Sequence, residues 1–141
     1  MPAKNQEPFK LGEFMGVNPD QIAKLESLGV KTTGQMLIAG KTPQARADLA
    51  RQANLPQEVV LELVKLSDLS RLPGVKGIRA RLYVDAGVDT VEMLAAYETE
   101  ALLALTTEFV QKAKFKGIAP LPKEVSSTIT NAKKLPKLVE W

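Results

Sequence analysis

The stretch GVNPDQIAKLESLGVKT, residues 16–32, returns in recognisable form as GVKGIRARLYVDAGVDT, residues 74–90, at an offset of 58. Five of the 17 aligned positions are identical, namely Gly16/Gly74, Val17/Val75, Gly29/Gly87, Val30/Val88 and Thr32/Thr90. About one would agree by chance, and a duplicated stretch is read before any local pattern because it dictates the architecture. Both copies run on into an apolar patch, Met36-Leu37-Ile38 and Met93-Leu94-Ala95. A second match, LPQEVVLELVKLSDL (55–69) with LPKEVSSTITNAKKL (121–135), has an offset of 66. It aligns Val59, Leu63, Leu66 and Leu69 with Val125, Ile129, Ala132 and Leu135, the spacing of one helical face. The two offsets differ by eight, which places extra residues of the second copy within TTEFVQKAKFKGIAP, 106–120.

The helical period dominates and strand-type alternation is short wherever it occurs, so the fold class is all-α. Pro19, Pro43, Pro56 and Pro122 sit at or near predicted helix starts, where the missing N–H costs nothing. Thr42 is an expected N-cap. Gly29, Gly40, Gly87 and Gly117 fall where helices should stop. The reading is a loose tail over 1–10 and one compact helical domain over 11–141. Two tandem units compose that domain, 11–69 and 70–141.

Composition narrows the chemistry. The 141 residues include no cysteine and no histidine. That removes disulfides, thiolate metal sites, the commonest zinc ligand and every Ser-His or Cys-His nucleophile. No carboxylate or Ser-Lys spacing suggests a catalytic set, so the expectation is a protein that is not an enzyme and uses no metal or cofactor. With 25% charged and 45% hydrophobic residues the balance is globular. No apolar run approaches a membrane span, and MPAKNQEPFK lacks the apolar stretch of a signal peptide, so no membrane role and a cytoplasmic location are expected. Net charge is only +3, but residues 111–141 hold seven Lys/Arg against two Asp/Glu. A basic end favours an anionic partner, or simply a solvated surface.

Each copy opens with an apolar residue and a Gly-containing turn, continues as a helix of about ten residues, and closes with Gly-Val-x-Thr. This pattern, over 14–30 and 72–88, resembles the helix-hairpin-helix motif. Leu72-Pro73-Gly74-Val75 and the small Ala80 match it well, and Phe14-Met15-Gly16-Val17 matches less fully. Both copies depart at the motif's second glycine, where Asn18 and Lys76 stand; Asn tolerates a left-handed backbone, and in the second copy Gly77 is left to absorb the turn. From residue 14 onward the chain is also similar to an uncharacterised domain-of-unknown-function family built from two such units. The landmarks are TPQARADLARQANLPQEVVLELVKLSDLSRLPGV, AGVDTVEMLA and a late helix near a Trp. That resemblance implies a compact helical fold related to nucleic-acid-binding domains and no assigned activity.

Electrostatics separates the two turns. A helix start presents free N–H groups and partial positive charge, so it attracts anions. In the first copy Asn18 can cap, Pro19 suits the first helical position and Asp20 supplies negative charge. In the second copy Lys76, Arg79 and Arg81 crowd a start where each exposed cation costs about 0.3–1 kcal/mol. The candidate site is therefore Gly74, Val75, Lys76, Gly77, Arg79 and Arg81, gripping a DNA or RNA backbone phosphate without reading sequence. The competing reading leaves these side chains solvated, with Arg81 on Asp85; Ile78 and Leu82, one turn apart, are core in either case. A second candidate, FVQKAKFKG, carries Lys112, Lys114 and Lys116 around Ala113 and Phe115. Lysines before Gly117 would equally complement a helix C-terminus. The helix after Asn54-Leu55-Pro56 is acidic and apolar, a core helix and not a groove reader. The expected function is a non-catalytic module binding nucleic-acid backbone; the alternative is a protein-interaction scaffold. Trp141 is expected to fold back onto the core.

Overall fold

The computed structural model describes residues 6–141 and is all-helical. After a single 3-10 turn, Leu11–Glu13, come α1 (Pro19–Glu26), α2 (Thr33–Ala39), α3 (Pro43–Ala53) and α4 (Gln57–Leu69). The same order follows as α5 (Gly77–Asp85), α6 (Val91–Ala95), α7 (Thr99–Lys112) and α8 (Pro122–Lys134). Local chemistry sets the boundaries. Pro19, Pro43 and Pro122 occupy first helical positions. Thr32, Thr42 and Thr90 each accept a hydrogen bond from the N–H three residues on, closing the starts of α2, α3 and α6. Asn54, left-handed at φ 55°, ends α3 and aims the chain through Leu55-Pro56 into α4.

The helices pair alike in both halves, α2 on α4 with α3 alongside, and α6 on α8 with α7 alongside. Most of the face predicted in both copies is buried: Leu63, Leu66 and Leu69 in α4, with Val59 only half-buried, and Val125, Ile129 and Ala132 in α8 with Leu135 just beyond it. Contact between α4 and α5 joins the halves, and one hydrophobic cluster runs through both. The extra residues of the second half divide between a longer helix and a longer loop. α7 has 14 residues against 11 in α3, and the connection 113–121 replaces the short turn 54–56. α7 stops at Lys112, ahead of the expected Gly117, because Lys114 turns left-handed at φ 51°.

Both ends of the chain cross to the opposite half. Met1–Asn5 lie outside the described residues, but the expected loose tail is docked from Gln6 onward. The Gln6 amide nitrogen of the side chain donates to the carbonyls of Ser70 and Val75, and its backbone N–H to that of Arg71. Phe9 packs edge-on against Phe14, and an isolated backbone bridge joins Lys10 to Thr32. At the other end Val139 is buried, Glu140 N–H donates to the Lys41 carbonyl, and the Trp141 ring lies over Arg46 of α3. Trp141 Nε1 also donates to Glu92 of α6. No described helix is long and apolar enough to cross a membrane.

Candidate nucleic-acid interface

The two turns differ as their sequences require. Gly16 and Gly74 both adopt a left-handed backbone, φ 81° and 83°, so the turn is made at the first glycine of each copy. Lys76 stays extended at φ −107° and needs no glycine. In the first copy the Asn18 carboxamide oxygen accepts from the N–H groups of Asp20 (2.8 Å) and Gln21 (3.2 Å), closing α1. In the second copy Lys76 holds the N-cap position and offers no acceptor, and α5 has no acid in its first turn. Among the described residues nothing accepts from the N–H groups of Gly77, Ile78 and Arg79. The start of α5 is electrically open and the start of α1 is shut.

At Gly77 the backbones of the two halves come close together. A Cβ there would stand 2.1 Å from the Glu13 carbonyl oxygen, and the Gly77 carbonyl accepts from Met15 N–H. The glycine is therefore required by packing against the first half, not by an unusual dihedral.

The three cations of the second turn take separate roles. Lys76 is exposed. Arg79 is tied down: its Nε lies 2.6 Å from a Glu124 carboxylate oxygen of α8, and its Nη1 donates to the Ile118 carbonyl at 2.8 Å. Arg81 is buried. Its Nε donates to the Met15 carbonyl (2.6 Å), and its Nη1 pairs with Glu62 of α4 (2.5 Å) and, more distantly, with Asp85 (3.4 Å). Arg81 thus holds the first turn, α4 and α5 together, and its charge is spent inside the protein. Leu82 is core, whereas Ile78, expected in the core, is 52% exposed. The helix turns it toward the connection 113–121 instead of toward α4. There the Gly117 backbone lies against it, since a Cβ at Gly117 would be 3.0 Å from the Ile78 side chain.

That contact brings the second candidate segment to the first. Gly117 and Ile118 line the same hollow as Gly74, Lys76 and Arg79. Lys114 and Lys116, both exposed, are carried on this connection. Lys112 remains on the last turn of α7, paired with Glu108, and the pair raises the lysine's pKa and lowers the glutamate's. Two carboxylates also reach the hollow. Glu124 is neutralised by Arg79, and Glu13 accepts from the Lys10 backbone N–H within its own turn. Val75 is buried behind the turn, where its carbonyl accepts from Gln6. Sequence reasoning did not find Glu124, Glu62 or Ile118 as partners, because each is brought in by the tertiary fold.

The arrangement defines an all-helical module of two like halves in which, among the described residues, the start of α5 has neither a side-chain cap nor an acid in its first turn, whereas the uncapped starts of α4, α7 and α8 carry Glu58, Glu100 and Glu124. The chain belongs to the family described as Domain of unknown function (DUF4332), whose model matches residues 15–135. Comparison with the curated proteins and with the solved structures finds no match.

Proposed function

We propose that the protein is a non-catalytic binding module of two tandem helix-hairpin-helix units that holds nucleic-acid backbone at the start of α5, without reading sequence. The observation that carries this reading is the contrast between the two helix starts, α1 closed by Asn18 and α5 with no acceptor among the described residues for the N–H groups of Gly77, Ile78 and Arg79, under an exposed Lys76. A backbone phosphate supplies what that start lacks, and Lys76 then adds to the attraction instead of opposing the helix dipole. Lys114 and Lys116 extend the basic surface. Arg79 and Arg81 position it, one by fixing the connection at Ile118 and the other by locking the two turns together.

Fluorescence anisotropy with labelled duplex and single-stranded DNA tests the reading. Binding at about 50 mM salt should weaken steeply by about 200 mM, as backbone contacts do. Lys76→Glu should remove most of it, and Lys114→Glu with Lys116→Glu a smaller part. No binding at the lower salt overturns the reading.

A second reading, a protein-interaction module, draws on exposed apolar side chains at the same place. Ile78 and Ile118 line the hollow and are both exposed, as is Leu121 at the N-cap of α8. A partner whose binding survives Lys76→Glu and is lost with Ile118→Ser would favour that reading.

A further inference from the structure

Arg46 breaks the pattern set by the other arginines. Arg51 pairs with Asp48, Arg71 with Asp68, Arg79 with Glu124 and Arg81 with Glu62. Arg46 is only 7% exposed, yet among the described residues no carboxylate lies within salt-bridge distance of it. Met1–Asn5, MPAKN, contain no acid that could supply one. Its Nη1 donates to the Gly40 carbonyl at 2.9 Å, and its guanidinium carbon lies 5.5 Å from the centre of the Trp141 ring. Hydrogen bonding and a cation–π contact offset part of the desolvation of a buried charge and leave it without a counter-ion. Burial accordingly lowers the pKa of this guanidinium.

The position makes the anomaly sharper. Arg46 shares the inward face of α3 with Leu49, Ala50 and Ala53. Counted from the helix start, its counterpart on α7 is Leu102, which is fully buried. Where one half uses leucine in its core, the other places a cation. That cation faces a cleft walled also by Pro43, Leu61, Lys65, Thr90 and Trp141, with a volume of about 820 Å³. Small-molecule sites combine such an apolar wall with a few fixed polar groups. Lys65 is held by Asp89, and Glu58, the carboxylate side chain of the lining, is exposed and stays out of salt-bridge range of Arg46.

We propose that this cleft binds a small organic anion, its carboxylate or phosphate on Arg46 and its apolar or aromatic body along Pro43, Leu61 and Trp141. The site lies on α3, α4 and the C-terminal segment, apart from the start of α5, and stands whether or not that start binds nucleic acid. Trp141 is the chain's one tryptophan, so its emission reports on the cleft alone.

The test is a titration of full-length protein with inorganic phosphate, adenosine monophosphate and benzoate, each against sodium chloride of equal ionic strength. A saturable change in Trp141 emission is expected below about 10 mM, in the range of weak specific binding. The two organic anions should saturate at lower concentration than inorganic phosphate. A response to adenosine monophosphate alone assigns the site to phosphates, and one to benzoate alone assigns it to carboxylates. Arg46→Met, checked for fold by circular dichroism, should weaken binding at least about tenfold. Glu58→Gln should preserve or tighten it, and Lys76→Glu should leave it unchanged. Absence of a saturable change in the wild-type protein, or the same change with chloride, overturns the proposal without recourse to any variant. Undiminished binding in a folded Arg46→Met protein overturns it as well.

Discussion

At the scale of single residues the most demanding contact is Gly77 against the Glu13 carbonyl. A methyl group there meets the backbone of Glu13 and Phe14, and neither half can move without disturbing Met15 N–H on Gly77. Gly77→Ala should therefore destabilise the protein by about 1–3 kcal/mol, the usual cost of overpacking, read as a lower denaturation midpoint with unchanged slope. Asp68 is the buried acid of the fold, paired with Arg71, whose Nη2 reaches on to the Pro136 carbonyl. Burial pushes its carboxyl above the ordinary range, outweighing Arg71. A raised folded-state pKa means a stabilising contribution that is complete below the unfolded value and lost as pH rises through the folded one. Urea denaturation from about pH 4 to pH 7 should show Asp68→Asn gaining on the wild type as pH rises; a gap that widens against the variant would contradict this. Residue roles were the least legible layer of the sequence. Lys76 could be read as exposed and uncapped from its neighbours alone. Arg79 could not be placed, and Arg81 only in part, through Asp85 four residues on, because Glu124 and the Met15 carbonyl lie 45 and 66 residues away in the chain. Arg46 did carry a readable signal, a cation on the apolar face of a helix whose twin has leucine.

At the scale of helices the design is legible because caps and stops are local. Thr42, Asn18 and the helix-starting prolines act as their sequence positions imply. Gly117 did not end α7, since the connection 113–121 makes its own turn at Lys114 and uses the glycine to approach Ile78. The asymmetry of the two helix starts gives a paired prediction. Asn18→Ala should cost about 1 kcal/mol by opening α1. Lys76→Asp should do the opposite at α5, adding a side-chain acceptor on a backbone already extended and stabilising the protein by about 0.5–1 kcal/mol. The same substitution should abolish DNA binding in the anisotropy assay. A variant that grows more stable while losing affinity would separate the helix start's function from its structure. A variant that loses stability would show that the start is already satisfied.

At the scale of the whole molecule the duplication predicted two like halves, and their helix pairing follows it. How the halves are fastened was only partly legible, because much of the fastening beyond the α4–α5 contact lies in residues 6–10 and 136–141, outside the repeated pattern. Val139 is 1% exposed there and Trp141 spans Arg46 and Glu92. Val139→Ala should cost about 2 kcal/mol, and unfolding followed by Trp141 emission and by circular dichroism should still coincide. Separate transitions would mean that the C-terminal segment peels away before either half unfolds. The crossing also sets an order on biosynthesis. Arg71 and Arg46 leave the ribosome long before Pro136 and Trp141, which give one its carbonyl acceptor and the other its aromatic cover. The first half, though translated first, is finished late: a nascent chain halted near residue 70 exposes Arg46, whose aromatic cover Trp141 has yet to be made.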